Sequence, residues 1–201
     1  MASQRRYVYM FLLLSTVFVA SGCAATLRQP ILLEPGFQFS SVEHIGVLPP
    51  VDARVEKKNR VDLPRQINRP AMSILSKRGY QVTAVQDTGE VGEITEEDLK
   101  EAKPEWVNRL GPPTTRWVMV LCLADLRTKL TFGSTGNAEV TGYLFDKAVG
   151  KLVWKDKGVG QVGQGGLLGM AMKSTMDDSA LGVAVSNVFA TVPKSASKGR
   201  R

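Results

Sequence analysis

The chain has 201 residues, 43% of them hydrophobic and 22% charged, a size and balance suited to one domain with an ordinary core. Its formal charge of +7 is concentrated at the two ends. Without Arg5, Arg6 and the tail residues Lys194, Lys198, Arg200 and Arg201, the 26 basic residues fall to near parity with the 19 acidic ones, and no basic stripe with interleaved aromatics remains to track a nucleic-acid backbone.

Arg5 and Arg6 precede an apolar run from Tyr7 to Val19, and Ala20, Ser21 and Gly22 follow. A positive head, a short apolar core and small residues at a cleavage point describe a signal peptide over 1–22. The run is too short for a permanent span, which needs about 20 apolar residues. Paired arginines also suit twin-arginine export, but their surroundings fit the general secretory route better.

The residues "VASGC" resemble the lipobox of bacterial lipoproteins, in which small residues precede a cysteine that is acylated and becomes the first residue of the mature chain. Ala20 stands where that family most often has leucine. The resemblance implies lipidation at Cys23, and Ala24, in place of aspartate, implies the outer membrane. Each buried CH₂ contributes about 0.8 kcal/mol and one chain anchors only marginally, so the several chains usual in that family would give a lasting anchor.

Residues 23–40 are expected to form a lipidated tether, semi-extended through Pro30 and Pro35, with apolar residues that pack in part on the domain. A globular domain is expected over 41–193 and a basic, disordered tail over 194–201. "HIGVLPP" reads as a strand. Asp62 can cap a helix with Pro64 in its first turn, but Pro70 favours a start near Asn68–Arg69; Gly79 ends it. "YQVTAV" is a second strand. Thr95 caps an acid-rich helix start at Glu96, Glu97 and Asp98, which suits the helix dipole better than general acid–base work. Pro104 divides that helix.

"RWVMVLCLADL" is nearly all apolar and suits a central strand covered on both faces; Cys122 within it reads as a buried core thiol. "NAEVTGYLFDK" and "KLVWKDKGV" form a hairpin turning at Gly150, with Leu152 and Trp154 on one face and Lys151, Val153 and Lys155 on the other. "GVGQVGQGGLLGMAMKS" lacks the Lys-Ser/Thr pair of a P-loop and reads as a loop; a flexible apolar segment meeting a partner is the alternative. The last helix is capped by Asp177 or Asp178, shows Leu181, Val185, Val188, Phe189 and Val192 on one face, and stops at Pro193.

The expected fold is α/β, a single domain whose mixed sheet of about five strands carries helices on one face, in the order β-α-β-α-β-β-β-α. His44 is the only histidine, no nucleophile is placed beside it, and no Cys/His cluster has metal-ligand spacing. No catalytic residue, metal or cofactor is expected. "HIGVLPPVDAR" and the hairpin with Asp146, Gly150, Lys151, Leu152 and Trp154 resemble small envelope lipoproteins: the curli-secretion lipoprotein, the lipoprotein activators of penicillin-binding proteins, and the N-terminal domain of TolB. That resemblance implies a periplasm-facing, non-catalytic lipoprotein that binds or scaffolds an envelope protein. Two alternatives stand beside it: an oligomeric subunit of a secretion or transport assembly joined through 158–172, and a binder of lipid or another small ligand.

Overall fold

The computed structural model describes residues 28–57, 60–131, 133–165 and 173–195; Cys23, the expected signal segment and most of the tail lie outside them. The strands are β1 (Leu32–Leu33), β2 (His44–Val47), β3 (Val51–Asp52), β4 (Gln81–Ala84), β5 (Trp117–Thr131), β6 (Gly133–Asp146) and β7 (Lys151–Gly165). The helices are α1 (Arg69–Lys77), α2 (Glu96–Glu101), α3 (Pro104–Asn108) and α4 (Lys173–Val188). Together they make one mixed seven-stranded sheet, ordered β1-β7-β6-β5-β2-β4 with β3 beside β5. The two strands beyond the expected five, β1 and β3, are each two residues long.

β2 lies parallel to both β4 and β5. The chain therefore crosses from β2 to β4 in one direction and returns past β2 to β5. Crossovers that share one handedness must then lie on opposite faces. Two cores result. α1 and α4 cover one face, over Met119, Leu121, Leu144 and Trp154. α2 and α3 cover the other, over Val118, Val120, Tyr143 and Phe145. The expectation of helices on one face is corrected by this second layer.

Local signals account for most boundaries. Thr95 and Asp98 form a reciprocal capping box at α2; Ala102 takes a left-handed φ of 46° and Pro104 opens α3. Asp62 caps the first helix by accepting from the Arg65 backbone N–H at 3.1 Å. α1 itself starts at Arg69, as Pro70 suggested. A π-turn over Pro64–Asn68 leads without a break into α1, with the Arg69 N–H donating to the Pro64 carbonyl. A proline ring collides with the carbonyl four residues back in a regular helix, and the wider turn accommodates it. α4 starts earlier than expected, at Lys173. Asp177 and Asp178 are thus inside the helix, and their carboxylates accept from Thr128 Oγ1 and Gln66 Nε2.

The largest departures lie in the meander β5-β6-β7, whose strands run 15, 14 and 15 residues. The sequence signals reach only its proximal half. Residues 158–165, expected as a loop, continue β7 in register with β6. A bulge at Val153 also breaks the expected alternation, since Phe145 pairs with Leu152 and Leu144 with Trp154. Leu152 consequently joins the second core while Trp154 is buried in the first.

Glycine is what lets α4 lie on these strands. A Cβ at Gly158 would sit 1.9 Å from the Ala184 carbonyl oxygen, and one at Gly160 would sit 1.8 Å from that of Ala180. The helix backbone rests directly on the strand, so neither position has room for a methyl group. Gly158→Ala or Gly160→Ala should cost at least about 3 kcal/mol by overpacking, or roughly 6–12 °C in melting temperature for a domain of this size. Gly163→Ala, with its nearest atom at 3.5 Å, should leave the thermal melt nearly unchanged.

Candidate functional site

The N-terminal arm crosses the sheet edge. β1 pairs antiparallel with β7, placing Leu32 opposite Lys155 and Leu33 opposite Trp154. Beyond β1, Phe37 packs on Trp117 and Phe39 on Trp154, with ring centroids 5.6 and 6.2 Å apart. Ahead of β1, Arg28 reaches the same edge and meets Asp156.

Asp156 is only 1% exposed, a location where an unpaired carboxylate costs several kcal/mol. It is fully engaged. Its Oδ1 accepts from Arg28 Nη2 at 2.9 Å and from the Lys157 backbone N–H at 2.8 Å. Its Oδ2 accepts from Thr191 Oγ1 at 2.8 Å, and that hydroxyl accepts from Trp154 Nε1 at 3.3 Å. Arg28 also donates to the carbonyls of Lys157 and Asn187. Asn187 Nδ2 in turn donates to the Val159 carbonyl at 2.8 Å. One carboxylate thus ties the arm, β7 and the end of the last helix together.

Neither partner stood out in the sequence. A signal for Asp156 existed: it shares the inward face with Trp154, Gly158 and Gly160, where an acid must find a partner. Arg28 is the only charged residue from 24 to 33, but nothing local says where it docks.

A second feature lies beyond the carboxyl ends of β2 and β4, where strand order reverses around β2, the usual place for a ligand crevice in open α/β sheets. A cleft of about 580 Å³ there is lined by Pro49, Pro50, Asp52, Arg54, Thr95 and Glu97, among others. Asp52 and Arg54 form a bidentate pair at 2.8 and 2.9 Å. The Arg54 hydrogen bond holds the Asp52 carboxyl below its ordinary range, and the same bond raises the Arg54 guanidinium. Its lining is rich in charge, with Asp52, Glu93, Glu96 and Glu97 beside Arg54 and Lys57.

The other singled-out residues lie apart. His44 Nε2 is 3.0 Å from Thr83 Oγ1 at the β4 edge, far along the sheet from Asp156. Cys122 is buried and free, and burial pushes its thiol up to about 12. Glu96 pairs with Lys100 at 2.9 Å on α2. Asp146 accepts from Arg116 at 2.9 and 2.7 Å, holding the turn that Gly150 closes with a φ of 64°. Among the described residues no cluster of acids, histidines and cysteines could hold a metal ion, and no helix is long and apolar enough to cross a membrane.

Two measurements follow from these groups. Cys122 should resist a thiol reagent at pH 8 in the folded protein and react fully in denaturant. A depressed carboxyl lends stability that is present above its unfolded range and is lost as pH falls through its folded value. Asp52→Asn should therefore destabilise the protein at pH 7, with the difference from wild type shrinking by pH 3 in chemical denaturation.

No protein-family model matches the chain, and no curated protein matches its sequence. Solved structures share its outline. The PelC dodecamer subunit from Paraburkholderia phytofirmans is 14% identical over 83% of this chain and 96% of that one, with a TM-score of 0.47. Lipoprotein GNA1162 from Neisseria meningitidis is 20% identical over 66% and 94%, at 0.45. A minor lipoprotein from Acinetobacter baumannii is 11% identical over 76% and 98%, at 0.41. The likeness is one of outline and carries no functional conclusion.

Proposed function

We propose that this chain is a lipid-anchored envelope lipoprotein, acylated at Cys23, held on the periplasmic side of the outer membrane, and acting by binding a protein partner without catalysis. The observation that carries this reading is "VASGC" directly behind a basic head and an apolar run from Tyr7 to Val19. Small residues admit the processing enzymes, and the thiol supplies the nucleophile that takes the lipid. The domain adds support of a different kind. Its core thiol is buried and high in pKa, its acid-rich helix start is a cap, and its hairpin residues Asp146, Gly150 and Trp154 serve the turn and the core. Anchoring acts by position, because a tethered domain meets a membrane-bound partner at high effective concentration. Of the segment 158–172 named for the assembly alternative, 158–165 continue β7, with Gly158 and Gly160 under α4, and 166–172 lie outside the described residues.

Cells fed a clickable palmitate analogue should label the wild-type protein and not Cys23→Ser. Equal labelling of both would overturn the anchor. Crosslinking in intact cells should trap one dominant protein adduct with wild type and much less with Cys23→Ser. An adduct yield independent of Cys23 would contradict the positional role.

A further inference from the structure

We infer that the β7 edge is the face this domain lays against the lipid surface of the bilayer, and that the Arg28–Asp156 contact fixes that orientation. The inference rests on acylated Cys23 and adds to it a direction. Arg28 is five residue steps beyond Cys23, so at about 3.3–3.6 Å per residue the chain reaches roughly 17 Å at full stretch. Arg28 is held on β7 by Asp156 and by the carbonyls of Lys157 and Asn187. The anchor therefore pulls on this edge and on no other. β4 lies four strand spacings from β7 across the sheet, about 19 Å at the usual 4.7–4.9 Å per spacing.

The surface chemistry of the edge agrees. The exposed large apolar side chains among the described residues are Ile31, Leu33, Val55, Val149, Val159 and Val183. Four of these six lie along this edge. Ile31 and Leu33 are on the arm. Val159 follows on β7, and Val183 stands one helical turn before Asn187, whose side chain reaches the Val159 carbonyl. Lys151, Lys155 and Lys157 line the same strand. Lys151 and Lys157 pair with Glu34 and Glu139, and Lys155 lies 5.1 Å over the Tyr143 ring. Apolar tips among long, amphipathic cations suit an interface between headgroups and water.

The test uses the purified full-length lipoprotein in vesicles of phosphatidylethanolamine and phosphatidylglycerol that carry a headgroup nitroxide quencher. A fluorophore is placed on a single introduced cysteine, Val159→Cys, Val183→Cys or, on the far edge, Gln81→Cys. The expected result is severalfold stronger quenching at 159 and 183 than at 81. Because Arg28→Gln alone strands a buried carboxylate, the orientation is released with the pair Arg28→Gln and Asp156→Asn, after its fold is verified by circular dichroism. This pair should keep the protein on the vesicles and erase the contrast between the edges. Flotation with equal quenching at all three sites, or with the contrast unchanged in the pair, overturns the orientation alone. A contrast lost together with a stable multimer burying 159 and 183 overturns it in favour of a second copy. Failure of the wild-type chain to float overturns the anchor itself, and this inference with it.

Discussion

The contact between the backbone of α4 and the glycines of β7 sets much of the remaining geometry. With Gly158 and Gly160 beneath it, the helix approaches closer than any side chain would allow. That approach places Asn187 and Thr191 at the sheet edge, one capping the Val159 carbonyl and the other holding Asp156. Only with those groups in place does the buried carboxylate present one remaining oxygen direction to Arg28. The seating of a helix thus decides where the N-terminal arm attaches.

The sheet divides its work along its width. Its centre, β5, is covered on both faces, which explains why its proximal half is almost purely apolar. The β4 side carries the parallel crossovers and, at the reversal of strand order, the cleft floored by Asp52 and Arg54. The β7 side carries the arm, the lysines and most of the exposed apolar side chains. Under the proposed anchor at Cys23, the tether would hold the β7 edge and leave the cleft side turned away from it.

Much of this was legible where the determinants are local. Thr95 and Asp98 announced a capped helix, Pro104 its division, Gly150 a turn, and the run around Cys122 a central strand; each is fixed by its own side chain or by near neighbours. The rest depends on distant parts of the chain. Gly136, Gly158 and Gly160 look like loop residues until a helix is laid across them, so the distal half of the meander could not be read as strand. Pro70 marked the start of α1, but the π-turn that runs into it from Pro64 leaves no local mark. The bulge at Val153 moved Leu152 and Trp154 to opposite faces, which period-two alternation cannot foresee. Arg28 and Asp156 are separated by 128 positions, and neither points to the other. Cys23, the strongest functional signal in the sequence, lies outside the described residues, and its resemblance to a lipobox cysteine is carried by its immediate neighbours alone.

The central claim is that the arm and the domain are joined through one buried ion pair, and a double-mutant cycle on Arg28 and Asp156 tests it most directly. Arg28→Gln leaves the carboxylate buried without its charged partner, which should cost about 1–3 kcal/mol. Adding Asp156→Asn should restore part of that loss, giving a coupling energy above about 1 kcal/mol between the two sites. Strictly additive effects, with the double variant less stable than either single one, would contradict the account.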